Sequence, residues 1–417
     1  MTPVPIAMVG LNRVFLDLLA RAPREYAVAL VEEPDLIRHD PGAYSEPPLG
    51  ALLAAPYQQT LDHVGRMAAW CRDRGVVAVV PGKEYAVATA AALSEALGLE
   101  GPGPHAADAC TDKLVLRAAC ALHGLASPRF SPAASADDIR RFYRGRPMVL
   151  KPANRQASVG VIRIDDVGLA EAAWQEVTAA TEGPARVPSR PLAWRYIVEE
   201  YVEGADVSVE TLLARGRVRF RNITLKDTPS DRYFPSLGHT VPAPLDAAVQ
   251  QALLAAVDRA LDAIGARTGL FHSDWKLGPN GPVILECAAR LPGDRVPELI
   301  LHAYGCNLGD ALTRVAAGED VDLPTHATRA AGIHWFTPDE GRLLEIEGVA
   351  TLEHNAGVIS YGFDVEPGEE VVAATDSWRR AGHVAVAADD HERLDEALAA
   401  VRRGLHFRVD GRSKALR

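Results

Sequence analysis

The feature that most constrains the fold is an alternation of short apolar runs with helical patterns over the first hundred residues. In chain order these segments are 5–10, 26–31 and 76–81 for the strands and 14–20, 60–74 and 85–97 for the helices. Strands that alternate with helices form parallel sheets, because each helix serves as the crossover between two strands. The sequence therefore predicts an N-terminal parallel α/β domain.

The loop Pro81-Gly82-Lys83-Glu84 follows the last of these predicted strands. Ligands of parallel sheets gather at the carboxyl ends of the strands, so this loop is a candidate binding site. It equally fits the simple entry into the next helix, where Glu84 would be favourable to the helix dipole. Both interpretations stay open at this point.

Composition bounds the class of protein and its partners. With 417 residues, two or three substructures are expected, and 48% hydrophobic with 24% charged residues is typical of a globular α/β protein. The formal net charge of −11 gives no cationic surface for a phosphate backbone, so no nucleic-acid partner is predicted. A few local lysines would still suffice for a small anion such as ATP.

The cysteines and the N-terminus bear on location. The five cysteines are scattered and form no CxxC pair, which predicts reduced thiols. No basic segment precedes an apolar stretch at the start of the sequence, and no window approaches the length of a membrane span. We therefore expect a cytoplasmic location and no membrane partner.

Three domains are predicted. A Gly- and Pro-rich stretch at 101–104 ends the first, which we place at 1–106, and a small α+β lobe follows at 107–195. The remainder, 196–417, is strand-rich and carries an appended α/β subdomain from about residue 330. Within it, segments 270–277 and 283–288 predict an antiparallel hairpin that turns at 278–281.

Paired carboxylates on this hairpin are the most specific chemical feature. Asp274 lies on the first arm and Glu286 on the second. Two carboxylates on adjacent strands suit Mg²⁺, a hard cation that takes oxygen ligands and keeps substrate phosphates in its shell. The alternative is a structural pairing of the two acids with Lys276 and Arg290.

Two lysines and a loop suggest phosphate contacts. Lys113 opens a predicted helix, and Lys151 ends an apolar strand, where a point charge would lie beside a ligand. The loop 154–160 follows at once, and backbone N–H groups in such a loop are able to cradle phosphates. No GxxxxGK[ST] motif occurs, which disfavours a P-loop. Taken singly, each lysine also fits a solvated side chain, and the loop a plain hairpin connection.

With these motifs in this order, the sequence resembles the ATP-grasp superfamily, most closely the carboxylate–amine ligases that join unprotected L-amino acids into dipeptides. The resemblance implies an α/β protein with α+β lobes: an N-terminal parallel α/β domain followed by a two-lobed nucleotide-binding module. It also implies ATP and Mg²⁺, with Mn²⁺ as an alternative metal, and small-molecule carboxylate and amine substrates joined through an acyl phosphate. The oligomeric state stays open, with a homodimer as one option.

The resemblance assigns roles position by position. Lys113, Lys151 and Arg290 become the catalytic cations, and Asp274 and Glu286 the metal ligands. The implied nucleotide contacts are Lys113, Lys151, Ser158, Gly160, Glu199, Glu200, Tyr201, Val202, Asp206 and Lys276. The implied substrate contacts are Glu84, His239, Arg290, Gly293 and Asp294.

Two departures from the superfamily pattern are informative. Ala288 stands where many members carry Asn, but Glu286-Cys287-Ala288-Ala289-Arg290 resembles the Glu-Ser-Ala-Ala-Arg segment of the dipeptide-forming ligases, whose arginine neutralises the reacting carboxylate. Asp294 stands where some of those ligases carry a bulky Trp. An acid there suggests either a basic substrate or an ion pair with Arg295.

Two other functions stay open. One is an ATP-grasp ligase or carboxylase that acts on a non-amino-acid carboxylate, since Arg290 does not discriminate among acids. The other is a catalytically silent nucleotide-binding regulator. The retained lysines and carboxylates count against the regulator, because such a protein could lose its metal site without penalty.

Overall fold

The computed structural model describes residues 2–44, 48–181, 187–229, 231–353 and 355–410, and the backbone alone of 412–415. Within these residues the chain forms four β-sheets with helices packed against them.

The N-terminal region contains the predicted parallel sheet. Its strands lie in the order β3-β2-β1-β4, and every neighbouring pair is parallel. Its elements are β1 (Val4–Val9), α1 (Arg13–Ala20), β2 (Tyr26–Glu32), α2 (Pro34–His39), β3 (Leu49–Ala54), α3 (Val64–Arg72), β4 (Ala78–Pro81), α4 (Val87–Leu97) and α5 (Pro104–Ala109). The sequence pattern did not reveal β3, a half-exposed edge strand, so the loop at Gly82 follows the fourth strand rather than the third.

A close approach of two strand ends shapes the carboxyl edge of this sheet. A Cβ on Gly82 would lie 1.9 Å from the carbonyl oxygen of Gly10, so only glycine fits there. Asn12 fixes the same corner: its Nδ2 donates to Gly82 O at 2.8 Å, and its Oδ1 caps α1 by accepting from Phe15 N at 3.0 Å. Glu84 therefore leaves the sheet from a rigid corner.

The small lobe contains a four-stranded sheet against which two of its helices pack. Its strand order is β5-β8-β6-β7, and each neighbouring pair is antiparallel. Its elements are α6 (Lys113–Leu122), β5 (Phe130–Ala133), α7 (Ala136–Phe142), β6 (Met148–Pro152), β7 (Ile162–Ile164), α8 (Ala170–Ala179) and β8 (Tyr196–Glu200).

An eight-stranded antiparallel sheet forms the centre of the molecule, in the order β13-β12-β9-β10-β11-β14-β18-β16. Its first part consists of β9 (Ala205–Ala214), β10 (Arg217–Asp227), β11 (Gly238–Val241), α9 (Ala247–Ala263), β12 (Gly269–Gly278), β13 (Gly281–Ala288), α10 (Val296–Tyr304) and α11 (Leu308–Ala316). The predicted hairpin is confirmed as β12 and β13, and its register places Asp274 directly opposite Glu286.

The C-terminal residues extend this sheet and add a small one. Strands β14, β18 and β16 continue the large sheet, whereas the fourth sheet has the order β17-β15-β19-β20. The elements are β14 (Ala330–Trp335), β15 (Gly341–Glu347), α12 (Ala350–Glu353), β16 (Val358–Phe363), β17 (Glu370–Val371), β18 (Gly382–Ala388), α13 (His391–Gly404), β19 (His406–Val409) and β20 (Arg412–Ala415). We call residues 372–381, between β17 and β18, the crossover segment.

Sheet membership bears on the domain boundaries. Strand β8 begins at Tyr196, yet it pairs with β5 and β6 of the small lobe. We therefore propose that the boundary predicted at 195 falls after β8, and keep the boundaries near 106 and 330 as proposals. No helix in the described part of the chain is long and apolar enough to cross a membrane.

Candidate active site

Two adjoining cavities lie where the lobes meet. The first, which we call the nucleotide cavity, comprises about 930 Å³ of empty space including its solvent-open mouth, and the second, the substrate cavity, about 1060 Å³. Seven residues line both: Gln156, Ala157, Ser158, Lys226, Ser236, Asp274 and Glu286. The two predicted metal ligands therefore stand at the boundary between the cavities.

The predicted residues divide between these cavities. Lining the nucleotide cavity are Lys113, Lys151, Ser158, Glu199, Glu200, Tyr201, Val202, Asp206 and Lys276. Lining the substrate cavity are His239, Arg290, Gly293 and Asp294. Glu84 reaches the second group through its contact with Arg290. Gly160 instead lines a third cavity behind the loop 154–160, away from the other predicted nucleotide contacts.

Both predicted phosphate lysines are buried and paired. Lys113 Nζ lies 3.0 Å from Glu286 Oε2, and Lys151 Nζ lies 2.6 Å from Glu199 Oε2. Burial lowers the pKa of Lys113, but the charges of Glu286 and Glu84 outweigh it and leave the pKa above its ordinary value. For Lys151, burial dominates, and its pKa lies below the ordinary value despite Glu199.

Glu199 has a structural role that the sequence pattern did not indicate. Its side chain is 2% exposed and binds Arg117 Nε at 2.7 Å as well as Lys151. Burial raises the pKa of Glu199, but the charges of Lys151 and Arg117 outweigh it and lower the pKa overall. The carboxylate thus holds Lys151 in the cavity wall.

The far end of the nucleotide cavity is aromatic and acidic. Tyr201 and Phe234 stack with ring centroids 6.3 Å apart. Asp206 Oδ2 accepts from Lys276 Nζ at 2.7 Å, and burial raises the pKa of Asp206, which Lys276 offsets only in part. A flat apolar surface beside one carboxylate suits a nucleoside, whose base stacks and whose ribose hydroxyls donate.

The loop 154–160 is held in an unusual backbone conformation. Ala157 and Ser158 both have a φ of 58°, a left-handed conformation that is uncommon for residues other than glycine. Ser158 Oγ donates to Phe234 O at 3.2 Å, and Ala157 O accepts from Ser377 N at 3.2 Å. The crossover segment therefore contacts the loop directly. Consecutive strained residues at a cavity wall are typical of ligand-binding loops.

The two carboxylates at the boundary fit a magnesium ion. Glu286 binds Lys113, and Asp274 Oδ1 accepts from Lys226 Nζ at 2.9 Å. Burial raises the pKa of Glu286, but Lys113 and Lys151 outweigh it and hold the pKa well below its usual range. Among the described residues, no group of three or more His, Cys, Asp or Glu side chains could hold a metal. A two-carboxylate site needs phosphate oxygens and water to complete the shell, which is the mode that Mg²⁺ favours.

A polar network stands behind Asp274. His272 Nδ1 lies 3.0 Å from Glu210 Oε1, and its Nε2 lies 3.5 Å from Asp274 Oδ1. Glu210 is fully buried and accepts in addition from Ser208 Oγ at 2.7 Å and Asn222 Nδ2 at 2.6 Å. This network helps to fix the strand that carries Asp274, the first predicted metal ligand.

Arg290 pairs with Glu84, not with the metal ligands. Its Nη2 donates to Glu84 Oε2 at 2.8 Å, and its Nη1 donates to Leu291 O at 2.9 Å. The alternative in which Arg290 neutralises Asp274 or Glu286 is therefore wrong for this structure, because Asp274 pairs with Lys226 and Glu286 pairs with Lys113.

Asp294 pairs with Arg380 of the crossover segment and not with Arg295. Arg380 Nη2 donates to Asp294 Oδ1 at 2.5 Å, and His239 Nε2 lies 3.3 Å from Asp294 Oδ2. Arg295 instead donates to Glu298 Oε2 at 2.9 Å. The suggested Asp294–Arg295 pair is therefore wrong.

Sequence reasoning missed Lys226 and Arg380. Lys226 sits near the end of a polar-ended strand, and Arg380 lies in an irregular segment 86 residues beyond its partner. Neither belongs to a local motif, so only the folded chain brings them to the cavities.

Two segments of the chain match known protein families. Residues 144–298 match the ATP-grasp domain, and residues 334–410 match the L-amino acid ligase C-terminal domain 2. Among solved structures, that of L-amino acid ligase from Bacillus licheniformis shares the fold with a TM-score of 0.81 at 19% identity, covering 98% of this chain and 100% of that one.

The matches to curated relatives cover a smaller share of this chain than the structural match does. Alanine–anticapsin ligase of Bacillus subtilis (strain 168) is 27% identical over 266 residues, which are 60% of this chain and 56% of that protein. The match thus spans little more than half the length of that relative. Dapdiamide A synthase of Enterobacter agglomerans is 24% identical over 340 residues, 78% of each chain.

The match over residues 144–298 and the shared fold confirm the predicted ATP-grasp fold class. More narrowly, the chain joins an ATP-grasp domain to the C-terminal domain of the L-amino acid ligases, the family that the sequence resembles.

Proposed function

We propose that this protein is an ATP-dependent carboxylate–amine ligase that joins an amino acid to a second amino acid or amine and releases ADP and phosphate. The observation that carries the proposal is the position of Asp274 and Glu286 on the shared wall of the two cavities. A phosphoryl group that passes from a nucleotide to an acid has to cross that wall.

The nucleotide cavity supplies positioning and charge. We assign Tyr201 and Asp206 to the nucleoside end, and Lys113 and Lys151 to the phosphates. Phosphoryl transfer leaves little covalent work for the protein, so orientation and neutralisation of charge account for most of the catalysis. Lys151 is suited to that task because the buried carboxylate of Glu199 already holds it in place, whereas Lys113 would pass from Glu286 to the phosphates when the ligand binds.

The carboxylates would hold Mg²⁺, with Mn²⁺ as a second metal of similar ligand preference. When bound, this ion neutralises the charge that develops on the phosphate oxygens. Asp274 and Glu286 would exchange their lysine partners for the ion, and the polar network behind Asp274 keeps its strand in place.

The substrate cavity presents a cation and an acid side by side, which supports an amino acid as the activated substrate. Arg290 would bind the carboxylate of the amino acid, and Glu84 would bind the ammonium group of the same molecule. Each charged group of the zwitterion would then lie beside a side chain of opposite charge. The carboxylate oxygen attacks the γ-phosphorus, the bond to the ADP oxygen breaks, and an acyl phosphate forms. The amine nitrogen then attacks the acyl carbon, and phosphate leaves.

The non-amino-acid carboxylate ligase and the silent regulator remain the rival functions. The Arg290–Glu84 pair favours amino-acid ligation over a ligase for other carboxylates. When a substrate carboxylate takes Arg290 away from Glu84, an amino acid offers Glu84 its ammonium group as a new partner, whereas an acid without an ammonium group leaves Glu84 unpaired. Retention of both metal carboxylates and both phosphate lysines favours a catalyst over the second.

The five cysteines are buried and form no disulfide, which supports the proposed cytoplasmic location.

The test is product analysis. The protein is incubated with ATP, Mg²⁺ and a pool of amino acids, and ADP release is measured beside the masses of the products. We expect ADP and phosphate together with a product whose mass is the sum of two pool members less one water. The Glu286→Gln variant is the control for contaminating ligases. Absence of amino-acid-stimulated ADP release would remove the amino-acid function.

A further inference from the structure

Asp294 offers no free negative charge to a ligand. Its two oxygens are engaged by Arg380 at 2.5 Å and by His239 at 3.3 Å. Burial raises the pKa of this carboxyl, but the charge of Arg380 and the hydrogen bonds from His239 and Arg380 outweigh it and hold the pKa well below its usual range. The side chain is nevertheless a quarter exposed and lines the substrate cavity, so a bound substrate would meet it.

Arg380 is held in place by two other contacts and is nearly buried. Its Nη1 donates to Ser236 O at 3.1 Å, its guanidinium carbon lies 3.5 Å from the centroid of the Trp335 ring, and its side chain is 5% exposed. Ser377, three positions earlier in the crossover segment, donates through its backbone N–H to Ala157 O of the loop 154–160. Arg380 is thus a rigid cation that the C-terminal domain delivers to the substrate cavity.

The other acids on or beside this cavity also have cationic partners. Glu84 binds Arg290, Asp274 binds Lys226, and Glu286 binds Lys113. The same cavity is also lined by apolar or small residues, among them Leu291, Gly293, Val296 and Trp378. A Cβ on Gly293 would meet nothing within 4 Å, so there is room for a side chain there. A cationic side chain entering this space would meet Arg380 and no acid free to pair with it.

We propose that Arg380 is a specificity-determining residue: by neutralising Asp294, it makes the substrate cavity select amino acids with uncharged side chains and reject cationic ones. The inference rests on the proposed amino-acid ligation. Binding of an acidic side chain by Arg380 is disfavoured, because two of its nitrogens already donate within the protein and the guanidinium is nearly buried.

The test compares lysine with norleucine, which has a straight apolar side chain of nearly the same length. We measure kcat/KM for each as the activated acid in an ADP-release assay, with wild type and Arg380→Met, a variant that removes the charge and keeps much of the volume. Wild type should prefer norleucine. Arg380→Met frees the Asp294 carboxylate, so the lysine-to-norleucine ratio of kcat/KM should rise roughly ten- to hundredfold.

Two further variants separate specificity from structural support. In the double variant Arg380→Met/Asp294→Asn the gain for lysine should disappear, because the freed acid is gone. In Asp294→Asn alone, the unpaired Arg380 should increase the rejection of lysine. Calorimetric binding of both amino acids in the presence of Mg²⁺ and a non-hydrolysable ATP analogue should show the same changes in ratio.

The outcomes are distinct. If Arg380→Met lowers the melting temperature and both kcat/KM values together, with the ratio unchanged, Arg380 only supports the fold and the proposal is overturned. A wild type that prefers lysine or glutamate to norleucine overturns it as well. If no amino acid stimulates ADP release by wild type, the proposed function itself fails and this inference falls with it.

Discussion

The guanidinium of Arg290 donates to the carboxylate of Glu84 at 2.8 Å, across 206 residues of chain and between the N-terminal domain and the edge of the large sheet. Each of these groups neutralises the other in a largely buried position, where an unpaired charge is costly. A ligand that carries both a carboxylate and an ammonium group replaces both partners at once. We therefore expect this pair to act as the receptor for a zwitterionic substrate.

Replacing Arg290 by Lys is expected to reduce acyl-phosphate formation roughly ten- to hundredfold, since a charged bidentate contact is worth about 1.5–3 kcal/mol and a lysine is a point charge. Nucleotide affinity should barely change, because Arg290 does not line the nucleotide cavity. The measurement is amino-acid-dependent ADP release beside a nucleotide titration.

The matched control for this variant is Arg295→Lys, which changes a neighbouring arginine that pairs with Glu298 and does not line the substrate cavity. Its turnover should stay near that of wild type. A large loss of melting temperature in Arg290→Lys with normal activity per folded molecule would place Arg290 outside the active site.

Neutralising either boundary carboxylate, Asp274→Asn or Glu286→Gln, is expected to lower turnover by about a hundredfold or more. The variant would lose a ligand of the metal ion that stabilises the negative charge on the phosphoryl group during its transfer. Glu203→Gln, at an exposed position, is the control. Wild-type turnover in both boundary variants would defeat the assignment of the metal site.

Lys226 is expected to discriminate between ATP and ADP. It lines both cavities and binds Asp274, so it stands where the terminal phosphate would lie. Lys226→Met should weaken the binding of a non-hydrolysable ATP analogue more than that of ADP, by about tenfold or more, as expected for one charged contact.

Lys276→Met is the comparison for Lys226, because Lys276 pairs with Asp206 at the nucleoside end of the nucleotide cavity. It should affect ATP and ADP alike. Equal losses for both nucleotides in Lys226→Met would show that Lys226 only neutralises Asp274.

Local patterns were enough to predict the parallel sheet and the β12–β13 hairpin, because alternating apolar and helical segments and a short turn between two strands are visible along the chain. The roles of the lysines and carboxylates came instead from the resemblance to a family and stay predictions. Arg380 and Lys226 escaped prediction since their partners are distant in sequence, and nothing local distinguishes them from solvated cations. The partner of Asp294 was predicted wrongly for the same reason: Arg295 is adjacent in the chain, but it binds Glu298 in α10. Strand β3 was missed because its short run of Leu, Gly and Ala lacks the valines that mark the neighbouring strands and lies at the half-exposed edge of the sheet.

Two buried histidines are expected to make the protein sensitive to acid. Burial lowers the pKa of His334 and of His383 to about 4, below the ordinary value near 6.5. Between pH 4 and pH 6.5, the unfolded chain therefore binds more protons than the folded chain. The stability that each buried neutral histidine contributes is fully present above pH 6.5 and is lost as the pH falls towards 4. The loss at pH 4 is up to roughly 3 kcal/mol for each histidine.

Chemical denaturation at pH 7 and pH 4.5 measures this effect, with His383→Gln compared against wild type. The variant should lose less free energy of unfolding between the two pH values, whereas His123→Gln, at an exposed position, should behave as wild type. An identical pH dependence in all three proteins would contradict the assignment.

The most direct test of the central claim follows oxygen from the acid to phosphate. Amino acids labelled with ¹⁸O in the carboxylate are incubated with the protein, ATP and Mg²⁺, and the phosphate that is released is analysed by mass spectrometry. Activation as an acyl phosphate transfers one labelled oxygen to inorganic phosphate and leaves AMP absent. Unlabelled phosphate, or label that appears in AMP, would contradict an acyl-phosphate mechanism for this protein.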